Sequence, residues 1–231
     1  VASRAGSCWN TITALSAKTE AGAANFVRVS SSAPPGRPPV TTHAAIEQAA
    51  FALFERQGFD ETTMEDIAAA LGVGRRSLFR YYPSKNDILW GQFDDSLHGF
   101  EQTFAALPRR TPLHLAIRDA VIAFNRLDEA AIPQHRQRMR LLLGTPALLA
   151  HSELRYAAWR AVVAEYVAGR LRCSPTDLTP TLAGRAALAI ALTAYEQWLR
   201  DDTLALPDLI AETAGALAAI FAAPAAKARR R

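Results

Sequence analysis

From about residue 42 onward, apolar residues recur at the three-and-four spacing of amphipathic helices, with Gly and Pro marking the breaks. Ile46, Ala50, Leu53 and Phe54 share one face of a helix expected over 42–57. Gly58 is its terminator, and Phe59 is placed to fold back on the last turn. Met64, Ile67, Ala68 and Leu71 then fall at i, i+3, i+4 and i+7, behind Thr63 as N-cap and Asp66 as its partner. Gly72-Val73-Gly74 predicts a tight corner of two residues tolerant of positive φ around one apolar anchor. A second short helix offers Leu78 and Tyr82 to the interior and stops at Pro83. Ser84 is placed to cap a long helix from Lys85 to about Ala106.

The remainder predicts only helices. Thr111-Pro112 opens one to about Arg126, Pro133 one through Leu143, and Thr145-Pro146 a long one reaching Arg172. Thr179-Pro180 opens the next, ending near Arg200, and Pro207-Asp208 the last, ending before Pro224. The expected fold class is all-α: an N-terminal three-helix head containing a helix-turn-helix, followed by a helical body. The expected boundaries are a leader at 1–40, a head at 41–86, a body at 87–223 and a basic tail at 224–231. The leader has little periodicity and closes in a Ser- and Pro-rich run from Ser30 to Pro39. It begins with Val, as a literal reading of a GTG start would, and reads either as a disordered arm or as a misassigned start. Arg37 in it is a candidate for following a DNA backbone or entering a minor groove.

Composition narrows the classes. Half of the 231 residues are apolar and Ala is abundant, which favours helices around a sizeable core. A net charge of +4 agrees with a nucleic-acid partner without requiring one. Cys8 and Cys173 cannot form a disulfide framework, which points to a reducing cytoplasm, and no apolar run reaches membrane-spanning length. The five histidines are scattered, no metal-ligand or nucleophile motif is present, and Asp94-Asp95 and Asp201-Asp202 splay apart on helices. The expectation is no enzyme, no metal and no cofactor.

The outer face of the second short helix carries Arg75, Arg76, Ser77, Phe79, Arg80 and Tyr81. Guanidinium forks, a hydroxyl and aromatic rings on two turns suit one helix laid into a major groove. The stretch from Ala45 to about Asp94 resembles the DNA-binding head of the tetracycline-repressor-like (TetR) family. The resemblance rests on Ile46, Ala50, Phe54, Gly58, Phe59, Thr62-Thr63, Asp66-Ile67-Ala68, Leu71-Gly72-Val73, Leu78-Phe79, Tyr82-Pro83-Ser84-Lys85 and Leu89. The run from Arg75 to Asp94, and Tyr156-Ala157-Ala158-Trp159-Arg160, further resemble the regulators encoded with mycofactocin biosynthesis in actinobacteria. Two departures stand out: Phe79 occupies a position where the family usually has Tyr, and Gly74 one where it usually has a Ser or Thr cap.

The resemblance implies a regulator of transcription that binds double-stranded DNA, with Arg75 and Arg76 on base edges and Ser77 and Phe79 in support. Thr63, Gly74, Arg80, Tyr81 and Lys85 complete the expected DNA surface, with Thr63, Arg80, Tyr81 and Lys85 assigned to phosphates. Lys85 in a first helical turn opposes the helix dipole, and a phosphate opposite it would remove the conflict. Family members hold a mainly apolar effector in the body. The candidates are Phe93, Leu97, Phe124, Met139, Arg140, Tyr156, Trp159, Arg160 and Tyr195, with Arg155 as a further anchor and a long-chain acyl-coenzyme A as the leading ligand. The last two helices, wide in small and aliphatic residues such as Leu182, Ala186, Ala194, Leu206, Ile210 and Ile220, are expected to pair in a homodimer. The competing reading is a helical lipid- or acyl-binding module whose helix-turn-helix is vestigial.

Overall fold

The computed structural model describes residues 41–222, which contain helices and no strand. The expectations for the leader, including Arg37, and for the basic tail lie outside the described residues. Two compact units divide between Gly91 and Gln92, beyond the expected boundary after Asn86.

The head contains α1 (His43–Gln57), α2 (Met64–Ala70), α3 (Arg75–Tyr81) and α4 (Lys85–Trp90). Thr42 caps α1 by accepting from the Ala45 amide at 3.1 Å. The predicted apolar face of α1 is buried at Ile46, Ala50, Leu53 and Phe54, joined by Phe51. Phe59 does return to the last turn, its ring 5.0 Å from that of Phe54. The capping box of α2 is complete: the Asp66 amide donates to Thr63 Oγ1, and the Thr63 amide donates to Asp66 Oδ2. At the corner only Gly72 uses positive φ, at 65°; Gly74 is extended at φ −70° and supplies the N-cap of α3.

The long helix expected from Lys85 to Ala106 is interrupted. Gly91 takes φ 55° and ψ −134°, a conformation that a side chain resists, and α5 (Phe93–Ala106) starts afresh beyond it. A Cβ at Gly91 would stand 3.1 Å from Glu47 Oε1, so the break sits against a buried carboxylate of α1. Tyr82 donates to the same oxygen at 2.7 Å. Glu47 thus fixes, within the head, both the residue that ends α3 and the glycine that ends α4.

The body comprises α5 with α6 (Leu113–Phe124), α7 (Ile132–Gly144), α8 (Pro146–Leu171), α9 (Leu178–Arg200) and α10 (Leu206–Ala222). α9 begins two residues earlier in the chain than its Thr-Pro signal suggested: Asp177 is its cap, and Thr179 and Pro180 fall in the first turn, where a missing N–H removes no helical bond. α8 and α9 approach closely at Gly184, where a Cβ would meet Arg160 O at 2.6 Å. The residues expected to pair between chains divide in two. Ala194, Leu206 and Ile210 are buried within the chain's own body, whereas Leu182 is 61% and Ile220 70% exposed; Phe221, which was not among the expected residues, is 83% exposed.

Candidate DNA-binding surface and effector region

The outward face of α3 follows from what lies beneath it. Leu78 and Tyr82 are buried together with Ile67 of α2, so the arginines and Phe79 of α3 face solvent. Arg75, Arg76 and Arg80 are exposed, Ser77 and Tyr81 are half-buried, and Phe79 is 37% exposed. Arg75 pairs with Glu65 of α2 at 2.7 Å, and its guanidinium lies 5.2 Å from the centre of the Phe79 ring. Arg80 lies 5.6 Å from the Tyr81 ring. Arg76 makes no ion pair among the described residues. The product is a short, positively charged ridge whose planar donors are held partly in place by their neighbours.

Three residues assigned to phosphates are engaged within the head instead. The Thr63 hydroxyl donates to Asp66 Oδ2 at 2.7 Å while accepting from the Asp66 amide. Those bonds hold the Asp66 carboxyl below its ordinary pKa. The Tyr81 hydroxyl donates to Thr41 O at 2.7 Å. Lys85 Nζ donates to Phe59 O at 2.7 Å and to Asp60 O and Thr62 O at 2.9 Å, above the Phe59 ring at 4.5 Å. All three ammonium protons are thereby used, and the partner that the lysine lacked in sequence is the loop between α1 and α2. These side chains build the frame, and the guanidiniums of α3 stay exposed.

In the body, the nine candidate effector residues are spread over α5, α6, α7, α8 and α9. Phe124 and Trp159 meet, with centroids 6.0 Å apart, and both contact Phe100, whose ring stacks on Trp159 at 5.0 Å and 22°. Phe104 stacks on Tyr166 at 4.4 Å beside them. Phe93 lies 5.8 Å below the Arg155 guanidinium, which pairs with Asp94 at 3.1 Å. Leu97 is half-buried, Met139 is buried, Arg140 is exposed, and Arg160 is tied to Glu153. Burial raises the Tyr156 pKa to about 12. Arg140 is thus exposed, Arg155 and Arg160 are paired with carboxylates, and Phe124 and Trp159 belong to an aromatic layer with Phe100.

What the sequence reading missed is a polar cluster further along. Tyr195 donates to Asn125 Oδ1 at 2.7 Å, which requires His135 Nε2, 2.8 Å from the Tyr195 oxygen, to be the donor there. Burial, reinforced by nearby Arg138, pushes the His135 pKa down to about 3, so the ring is neutral. Arg136 is buried over the Trp198 ring at 3.9 Å and donates to Trp198 O. One signal was available: His135, Met139 and Leu142 lie at i, i+4 and i+7, which puts the histidine on an apolar stripe. No cluster of three or more His, Cys, Asp or Glu suited to a metal occurs among the described residues. None of their helices is long and apolar enough to cross a membrane.

A helix-turn-helix head with a basic recognition ridge, joined to an all-helical body, defines a DNA-binding regulator. The family model for bacterial regulatory proteins of the tetR family matches residues 46–89, and that for the MftR C-terminal domain matches residues 111–222. The chain belongs to the TetR family and is a regulator of transcription rather than an enzyme. It is 42% identical over 175 residues to a Mycobacterium tuberculosis protein named as the mycofactocin biosynthesis transcriptional regulator MftR. That match covers 76% of this chain and 88% of the relative. The fold is shared with Thermus thermophilus FadR, a TetR-family repressor solved with lauroyl-CoA, at 20% identity and TM-score 0.52, covering 82% of this chain and all of that one. It is shared also with Stenotrophomonas maltophilia SmeT, solved with triclosan, at 19% identity and TM-score 0.53, covering 75% and 90%.

Proposed function

We propose that the protein is a homodimeric repressor that binds an inverted-repeat operator through α3 and is modulated by a hydrophobic small molecule. The observation that carries the DNA reading is the ridge of Arg75, Arg76 and Arg80 standing on the buried Leu78 and Tyr82. Arg75 and Arg76 are assigned to base edges, Ser77 and Phe79 to their support, and Arg80 to phosphate. The exposed Leu182, Ile220 and Phe221 support pairing of α9 and α10 with those of a second copy. Two such heads on a twofold axis read two half-sites, hence the inverted repeat. Likeness to MftR favours mycofactocin genes as the target. A long-chain acyl-coenzyme A is the favoured effector, in keeping with the acyl-CoA bound by a repressor of the same fold.

The test is a titration of the DNA upstream of the protein's own gene at several salt concentrations, with Arg76→Ala alongside. Truncating a base-reading arginine weakens binding by about 1–3 kcal/mol and relaxes the preference at one base position. Absence of any complex at low salt would refute the regulator's operator assignment and favour the acyl-binding module with a vestigial head.

A further inference from the structure

α6, α9 and α10 line a partly open apolar cavity of about 490 Å³, within the size range of small-molecule sites. Ile117 and Val121 of α6, Ala186 and Ile190 of α9, and Ala214 and Leu217 of α10 line it. Its neighbours in sequence explain why it is hollow. α9 and α10 turn mostly alanines and Gly215 towards the gap, and none of those side chains reaches across. The polar groups at the cavity are His114 and Arg118, one turn apart on α6. Arg118 donates to Asp119 Oδ1 through Nε and Nη2 at 2.9 and 2.7 Å, which leaves its Nη1 edge for another acceptor. In the aromatic layer, by contrast, the rings of Phe100, Phe124 and Trp159 contact one another directly, with centroids 4.9 to 6.0 Å apart.

We infer that this cavity seats the aliphatic chain of an amphiphile whose anionic head lies at Arg118 and His114. This rests on the reading that the body holds a small-molecule effector, and it moves the site from the aromatic layer to α6, α9 and α10. From Ala211 to Phe221 the lining runs roughly 15 Å along α10 at 1.5 Å per residue, enough for a medium-length alkyl chain. A small molecule is favoured over a second copy because three helices of one chain line the hollow and the polar pair His114 and Arg118 stands at it. The exposed Leu182 and Ile220 that a second copy would cover lie outside its lining, with Phe221 alone shared between the two surfaces. The position also gives a route for regulation. A chain wedged between α9 and α10 acts on the two helices proposed to pair, and it shifts their arrangement by its differential affinity for the two states.

The experiment uses the full chain and a fluorescent fatty acid, 11-(dansylamino)undecanoate, displaced by dodecanoate, dodecanol or lauroyl-CoA. Ala186→Phe and Ala214→Phe fill the cavity, Ala183→Leu fills it more gently, and Arg118→Gln removes the anionic contact. The plugged variants are expected to bind the probe about tenfold more weakly or worse, the equivalent of some two lost buried CH2 groups, with no loss of melting temperature. Arg118→Gln should weaken dodecanoate and leave dodecanol unchanged; a preference for lauroyl-CoA over dodecanoate identifies the thioester as the source of the chain. Equal probe binding by wild type and plugged variants overturns the cavity and leaves the effector reading standing, with its site elsewhere. Loss of dimers in light scattering with unchanged probe binding overturns it in favour of a second copy. Failure of the wild type to bind any aliphatic probe overturns the cavity as an acyl site. In that case the effector reading stands or falls separately, on whether another hydrophobic compound alters DNA binding.

Discussion

Replacing Lys85 by methionine separates a frame residue from a DNA contact. Methionine keeps most of the aliphatic stem but removes the ammonium that bonds Phe59 O, Asp60 O and Thr62 O at 2.7, 2.9 and 2.9 Å. A hydrogen bond from a charged donor contributes about 1.5–3 kcal/mol net, but here three acceptors share one donor. Asp60 O is exposed and recovers water, whereas Phe59 O and Thr62 O are part-buried and recover less. With the cation over the Phe59 ring adding about 0.5–1 kcal/mol, the expected loss is about 2–3 kcal/mol in the DNA-free head. For a unit of this size that is a fall in melting temperature on the order of 10 °C. The loss should be local, because the ammonium ties the start of α4 to the loop that leads into α2.

Hydrogen exchange of peptides spanning residues 59–82, in the absence of DNA, should therefore speed up in Lys85→Met. DNA affinity falls as the competent head becomes less populated, but the slope of log affinity against log salt stays as in the wild type. A phosphate ligand behaves in the opposite way: its loss flattens that slope by about 0.9 and leaves the free protein untouched. Unchanged exchange together with a flattened slope would refute the clamp and restore the phosphate assignment. Lys85→Arg is expected to fall between, since a planar fork cannot converge on three carbonyls as an ammonium does.

Two further expectations concern the body. Gly184→Ala places a methyl 2.6 Å from Arg160 O, which is backbone and cannot swing away, so α8 and α9 must part. The expected cost is about 1–3 kcal/mol in a thermal or denaturant melt, and an unchanged midpoint would contradict the close approach. His135 has a folded pKa of about 3 against an ordinary 6.5, so its neutral form stabilises the body above pH 6.5. That contribution is lost as pH falls from 6.5 towards 3, at up to about 1.4 kcal/mol per pH unit. His135→Gln retains a donor for Tyr195 and removes the titration. Its melting temperature should fall less between pH 7 and 5 than that of the wild type, and parallel curves would show that the ring titrates in the folded state.

Which features were legible in the sequence depends on how far apart the interacting residues lie. The helix-turn-helix is written in short-range chemistry. Thr63 and Asp66 cap one another across three residues, Gly72 makes the corner, and Leu78 and Tyr82 sit four apart on one face. The exposed face of α3 is what remains when those local rules have been satisfied, so the outward placement of Arg75, Arg76 and Arg80 was legible without coordinates. Lys85 looked unpartnered because its acceptors lie 23 to 26 residues back. The break at Gly91 was invisible for the same reason: a lone glycine in a helical pattern is tolerated, and only the Glu47 carboxylate from α1 turns it into an end. The effector region is the extreme case. Phe100, Phe124 and Trp159 pack against one another, whereas the cavity proposed as the ligand site is made by what the side chains of α6, α9 and α10 fail to reach, a property of three helices together. A binding site of that kind leaves its trace in sequence as alanine and glycine at positions where a packed core would carry leucine, so small residues on helices with wide apolar faces are the better place to look for it.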